Sequence, residues 1–113
     1  MAIKKSQSEY EIQRGFCTFA RAHSLIFFST PNERKSSPLS MNKLKASGLK
    51  PGVPDIAILA NDTIYFIEFK KPGGKLSAHQ KEFHKILKGK CYNVAVCYSV
   101  NDAEKILKKW EII

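Results

Sequence analysis

Apolar positions recur at helical spacing in three stretches of the chain, and alternate or run together in four others. The first helical stretch opens at Ser8. Ser8 and Glu11 have capping-box spacing, and Ile12, Phe16, Phe19 and Ala20 share one face that ends near His23. The second opens at Ser77, capped by Ser77 and Gln80, with Phe83, Ile86 and Leu87 inward and Gly89 at its end. The third is expected to open at Asn101 with Glu104, carrying Ala103, Ile106, Leu107 and Trp110. Strands are predicted over Leu25–Thr30, Asp55–Ala60, Thr63–Lys70 and Asn93–Ser99. A short helix over Ser40–Ser47, stopped by Gly48, stands between the first two strands. Pro51, Gly52 and Pro54 then forbid helix and force an extended approach. The order α-β-(α)-β-β-α-β-α predicts one α/β domain, a four-stranded sheet flanked by helices.

Composition narrows the class. The chain has 113 residues, and 43% of them are hydrophobic, so one core and one domain are expected. The longest apolar runs, such as Ile56–Ala60, fall far short of the ~20 residues of a membrane helix. Met1 to Tyr10 is polar and lacks a signal-peptide core, so no membrane role is expected. Cys17, Cys91 and Cys97 are an odd number with no Cys-x-x-Cys pair, which points to a reducing cytosol. His23, His79 and His84 have no metal-ligand spacing and read as surface or packing residues. Nineteen Lys and Arg against ten Asp and Glu leave a net charge of +9, which suits a polyanionic partner.

Asn61-Asp62 is a tight-turn signature joining the middle strands. A hairpin centred there sets Asp55 opposite Glu68, with Cβ atoms about 4.5–5.5 Å apart. Like charges so placed repel unless something positive lies between them. Lys70, two residues beyond Glu68, shares that face, while Ile56, Ile58, Tyr65, Ile67 and Phe69 line the other. Two acids and a lysine on one patch suit Mg²⁺ or Mn²⁺, which would polarise a phosphate oxygen and acidify a bound water.

The motifs Gly52-Val53-Pro54-Asp55 and Ile67-Glu68-Phe69-Lys70 resemble the Pro-Asp…Glu-x-Lys nuclease superfamily. Around them, Glu11-Ile12-Gln13, Pro31-Asn32-Glu33-Arg34, Leu44 to Pro51, and Lys71-Pro72-Gly73-Gly74-Lys75-Leu76-Ser77 with Gln80 and Phe83 are similar to the virus-type replication-repair nuclease (VRR-NUC) family. The small stand-alone phage and viral members are the most similar. The resemblance implies a restriction-endonuclease-like core and metal-dependent cleavage of DNA phosphodiesters. It implies Asp55 and Glu68 as metal ligands with the Phe69 backbone carbonyl, Lys70 as catalytic lysine, and Glu11 reaching the metal through water. Gln80 would orient Lys70 or the scissile phosphate. It also implies a homodimer acting on branched DNA such as four-way junctions.

Several residues keep two readings. Glu11 and Gln80 are each accounted for as helix caps, and Glu9 adjoins Glu11. Asn32 is also a turn residue after Pro31. Asn32, Arg34, Lys43, Lys45, Lys50, Lys71 and Lys75 are candidates for a DNA groove. Lys81, Lys85 and Lys88 either continue it or form a solvated helix face. Gly73 to Ser77 lacks the spacing of a phosphate-binding loop, so no nucleotide cofactor is expected. Two rival functions fit the same charge: a non-catalytic basic DNA-binding module on the nuclease fold, and a restriction-type endonuclease on plain duplex.

Overall fold

The structure, a computed structural model, describes residues 7–30 and 38–113. Its elements follow the expected order: α1 (Glu9–Ala22), β1 (Ile26–Ser29), α2 (Pro38–Ala46), β2 (Ile56–Ala60), β3 (Thr63–Phe69), α3 (Ala78–Gly89), β4 (Asn93–Cys97) and α4 (Val100–Lys109). The strands form one mixed sheet in the order β1-β2-β3-β4. The first two junctions are antiparallel and β3–β4 is parallel. The parallel pair follows from the intervening α3, since parallel neighbours need a long crossover.

The β2–β3 hairpin has the expected register, Ile56 opposite Ile67 and Ala60 opposite Thr63. Asn61 and Asp62 take φ of 50° and 60°, the left-handed pair of a two-residue turn. Odd positions of β3 and even positions of β2 then face one side. There Ile56, Ile58, Tyr65, Ile67 and Phe69 pack with Ile12, Phe16 and Ala20 of α1 and with Ala103 and Leu107 of α4. The i, i+4, i+8 spacing of the α1 trio is what turns one stripe of the helix onto the sheet. The other side carries Glu68 and Lys70, and α3 presents His84 to it.

One helix starts earlier than expected. The N-cap of α4 is Ser99, whose hydroxyl accepts from the Asp102 N–H at 3.0 Å. The Asp102 carboxylate in turn accepts from the Tyr98 N–H at 3.0 Å. Asn101 therefore lies inside the helix: Ser99 is as good a cap, and the Asp102 bond back to Tyr98 fixes the first turn around it. No described helix is long and apolar enough to cross a membrane.

Candidate active site

The hairpin delivers two carboxylates to one point. Continuing the β2–β3 register one step beyond Ile56–Ile67 sets Asp55 opposite Glu68. Asp55 is fixed at both ends. Its backbone carbonyl accepts from the Thr30 N–H at 3.0 Å, and the Thr30 hydroxyl donates to the Pro54 carbonyl at 2.7 Å. Its Oδ2 accepts from the Phe69 N–H at 2.8 Å. Asp55 also hydrogen-bonds the Glu68 carboxyl, which is only 2% exposed. Burial first, then that hydrogen bond and the repulsion of the Glu68 charge, push Asp55 up to about 8. The Phe69 N–H works against the rise, and the Glu9 charge adds to it.

Gly52 makes this approach feasible. Its φ is +87°, and a Cβ there would run into the His79 carbonyl and lie 2.9 Å from the Gln80 nitrogen. The segment leading into Asp55 therefore lies directly against the first turn of α3. Lys70 is buried at 4% exposure, and its Nζ lies 3.5 Å from Glu9 Oε1. Burying a lysine is costly unless a counter-charge accompanies it, and Glu9 supplies one beside the carboxyl pair.

The α1 acid beside Lys70 is thus Glu9, and Glu11, expected to reach the metal through water, is not brought together with it. Glu11 is exposed on the far side of the first turn, where its carboxylate accepts from the Ser8 hydroxyl and its N–H donates to Ser8 Oγ, both at 3.1 Å. Helical rotation separates residues two apart by about 200°, so the two glutamates cannot share a face. Gln80 lines the cleft, but its Oε1 accepts from the Ser77 N–H at 2.8 Å, completing the expected capping box. Its side chain is committed to α3, and it does not touch Lys70 by a hydrogen bond on that oxygen.

Glu9, Asp55, Glu68 and Gln80 line a cleft of about 760 Å³. Among the described residues no group of three His, Cys, Asp or Glu forms a ready metal cage. The donor set nevertheless fits Mg²⁺ or Mn²⁺. Such ions are held by one or two carboxylates and keep several waters, and the cost of ionising both Asp55 and Glu68 is what a cation would relieve. On β3, the Phe69 N–H is the backbone group turned to Asp55.

A family model described as the VRR-NUC domain matches residues 4–101. The chain belongs to the VRR-NUC domain family. A solved structure titled "VRR_NUC domain protein" is similar at a TM-score of 0.74, with 20% identity over 92% of this chain and 88% of that chain, which is a likeness of fold. No curated protein matches the chain in sequence.

Within this VRR-NUC chain, three residues near the carboxylates were not singled out by sequence. Glu9 needed the phase of α1 relative to the sheet. Thr30 needed the β1–β2 pairing. His84 lies one turn beyond Gln80 on α3, buried at 5% exposure, with Nε2 3.8 Å from Glu68 Oε1 and no hydrogen-bond partner for that nitrogen among the described residues. Burial first, and then the charge of Lys88, hold its pKa below the usual imidazole value. It is a packing histidine, as expected, but it packs against a site carboxylate. Of the described basic candidates, only Lys50 lines the cleft. Lys43, Lys45, Lys71 and Lys75 are exposed outside its wall, on α2 and on the turn before α3. Asn32 and Arg34 lie outside the described residues.

Proposed function

We propose that this VRR-NUC domain is a metal-dependent DNA endonuclease, selective for branched DNA such as four-way junctions. The observation that carries the reading is the Asp55–Glu68 carboxyl pair, half-buried and buried respectively and mutually repelling inside a chain of net charge +9. Natural packing has no use for two such acids side by side, whereas a phosphate-bound divalent cation does. Asp55 and Glu68, with the Phe69 carbonyl, would hold Mg²⁺ or Mn²⁺. When bound, that ion would polarise a phosphate oxygen and lower the pKa of an attacking water.

The chain's own residues do the rest. Lys70, held by Glu9 at 3.5 Å, would set its side-chain nitrogen beside the carboxyl pair, where negative charge builds on the phosphate. Glu9 anchors Lys70 and adds a third carboxylate to the site. Gln80 has its amide nitrogen left to hydrogen-bond a phosphate oxygen, its Oε1 being held by the cap. Thr30 fixes the Asp55 backbone so that the carboxyl pair is set before substrate arrives. A second copy of the chain would present two such sites to two strands of a junction. Ile26, Phe28 and Leu59 support that arrangement. They leave an apolar strip 65%, 50% and 44% exposed on the β1 side of the sheet.

The test is a panel of labelled junction, flap, single-stranded and duplex DNAs, with Mg²⁺, Mn²⁺ or EDTA, for wild type and Asp55→Asn. The expected result is junction cutting by wild type with either metal, none in EDTA and none by Asp55→Asn, while DNA binding survives. Binding without cutting of any substrate would favour a non-catalytic module. Discrete fragments from plain duplex would favour a restriction-type enzyme. Sedimentation of the same samples reads the dimer.

A further inference from the structure

The cleft extends well past the carboxylates, and its charge is segregated along its length. Glu9, Asp55 and Glu68 sit at one end, at the start of α1. From there the cleft wall follows α1 through Gln13, Arg14, Cys17 and Arg21. Gln13 and Arg14 lie four and three residues before Cys17, and Arg21 four after it, so all fall on one helix face. That stripe is separate from Ile12, Phe16 and Ala20, which are turned into the core. Lys50 lines the cleft as well, together with Ser29 and Thr30 at the end of β1. At ~1.5 Å per residue, Arg14 and Arg21 are about 10 Å apart along the helix, and Arg21 lies about 18 Å from Glu9.

Arg21 is exposed but not without a partner. Its guanidinium carbon lies 5.6 Å from the centre of the Phe27 ring, a cation–π contact. Arg14 is exposed, one turn from Thr18, whose hydroxyl donates back to the Arg14 carbonyl. Neither arginine has a carboxylate salt bridge among the described residues, although Glu9 and Glu11 share the helix. An arginine at the last turn of a helix is favoured by the dipole alone, which would account for Arg21. It does not account for Arg14, in the middle of the helix, or for the turn of both onto the cleft wall.

We infer that the α1 wall of this cleft, through Arg14 and Arg21 with Lys50, is a binding track for the phosphodiester backbone of a DNA strand, leading away from the carboxylate pair. Guanidinium forks match phosphate oxygens, and two of them two turns apart are spaced for successive backbone contacts rather than for one bound anion. The track deepens the nuclease reading by giving the strand a direction. It rests on that reading for where the scissile phosphate lies, but not for the binding itself.

The test is DNA binding by fluorescence anisotropy in EDTA, where cutting plays no part, over a salt series on duplex and single-stranded DNA. Neutralising two phosphate contacts with Arg14→Gln/Arg21→Gln should flatten the log–log salt slope by ~1.8 on duplex or ~1.4 on a single strand. Arg14→Gln alone, at an exposed position outside the core, should flatten it by about half as much. Lys105→Gln/Lys109→Gln removes the same charge from α4, away from the cleft, and should leave the slope unchanged. A flattening of less than one unit by the double arginine variant on both DNAs would overturn the track. So would an equal flattening by the α4 variant. If Asp55→Asn still cuts while the arginine variant loses slope, the nuclease assignment falls and the track stands. If cutting behaves as proposed but the slope does not move, the reverse holds.

Discussion

At the residue scale, Asp55 links function to stability. Its folded pKa of about 8 lies above the ordinary carboxyl value of 3.8, so the folded protein binds a proton there more tightly than the unfolded chain. The resulting stabilisation is complete below about pH 4 and is lost progressively as pH rises toward 8. Without metal, Asp55→Asn removes that loss, because an amide stays neutral and keeps an oxygen for the Phe69 N–H. The variant should therefore melt above wild type at pH 8, by at least ~1 kcal/mol or about 4 °C, and the gap should close near pH 4. A thermal melt series in EDTA checks it; a variant less stable at pH 8 would contradict the burial and repulsion assigned to the pair. The two glutamates of α1 separate in the same way. Glu9→Gln leaves Lys70 buried without its partner and should cut cleavage about tenfold or more. Glu11→Gln loses only an exposed contact to Ser8 and should leave the rate unchanged, with stability within ~0.5 kcal/mol. Rates and melts of both variants, measured side by side, decide which glutamate serves the site.

At the element scale, the site depends on a loop pressed against a helix start. Gly52→Ala would place a methyl group against the His79 carbonyl at a φ that side chains avoid, and should cost ~3 kcal/mol or more while displacing Asp55. Gly48→Ala is the control. Its φ is +111°, but none of the described residues lies within 4 Å of the added carbon, so only the backbone term of about 1 kcal/mol is expected. Denaturant melts compare the two, and equal losses would mean that the α3 contact carries no weight. The same elements explain what was legible in sequence. The hairpin could be read because a two-residue turn fixes its register locally, and that register alone brings Asp55 to Glu68 and points Lys70 to their side. The helix periods were legible from their apolar stripes. The start of α4 was not, because Ser99 and Asn101 are both good caps and the choice depends on Asp102 reaching back to Tyr98. Glu9, Thr30 and His84 were hidden for a related reason. Each reaches the site through packing between elements far apart in the chain, which spacing within one element does not encode.

At the scale of the whole molecule, the charge of +9 is divided unevenly, with three acids gathered at one end of a cleft whose α1 wall is cationic. Such a division destabilises the metal-free protein locally, since Asp55 and Glu68 cannot both ionise at neutral pH without cost. A divalent cation that binds only the folded state should return that energy as thermal stability, by RT ln(1 + [L]/Kd). At pH 8, where Asp55 is half-ionised, millimolar Mg²⁺ or Mn²⁺ should raise the melting temperature of wild type by several degrees. At pH 5 the pair shares protons instead, and the same ion should raise it by less, because binding must first displace a proton. Asp55→Asn should show almost no shift at either pH. Because this measurement needs no DNA and no turnover, it separates metal binding from every other part of the nuclease reading. An equal shift in wild type and Asp55→Asn would place the ion elsewhere on the protein.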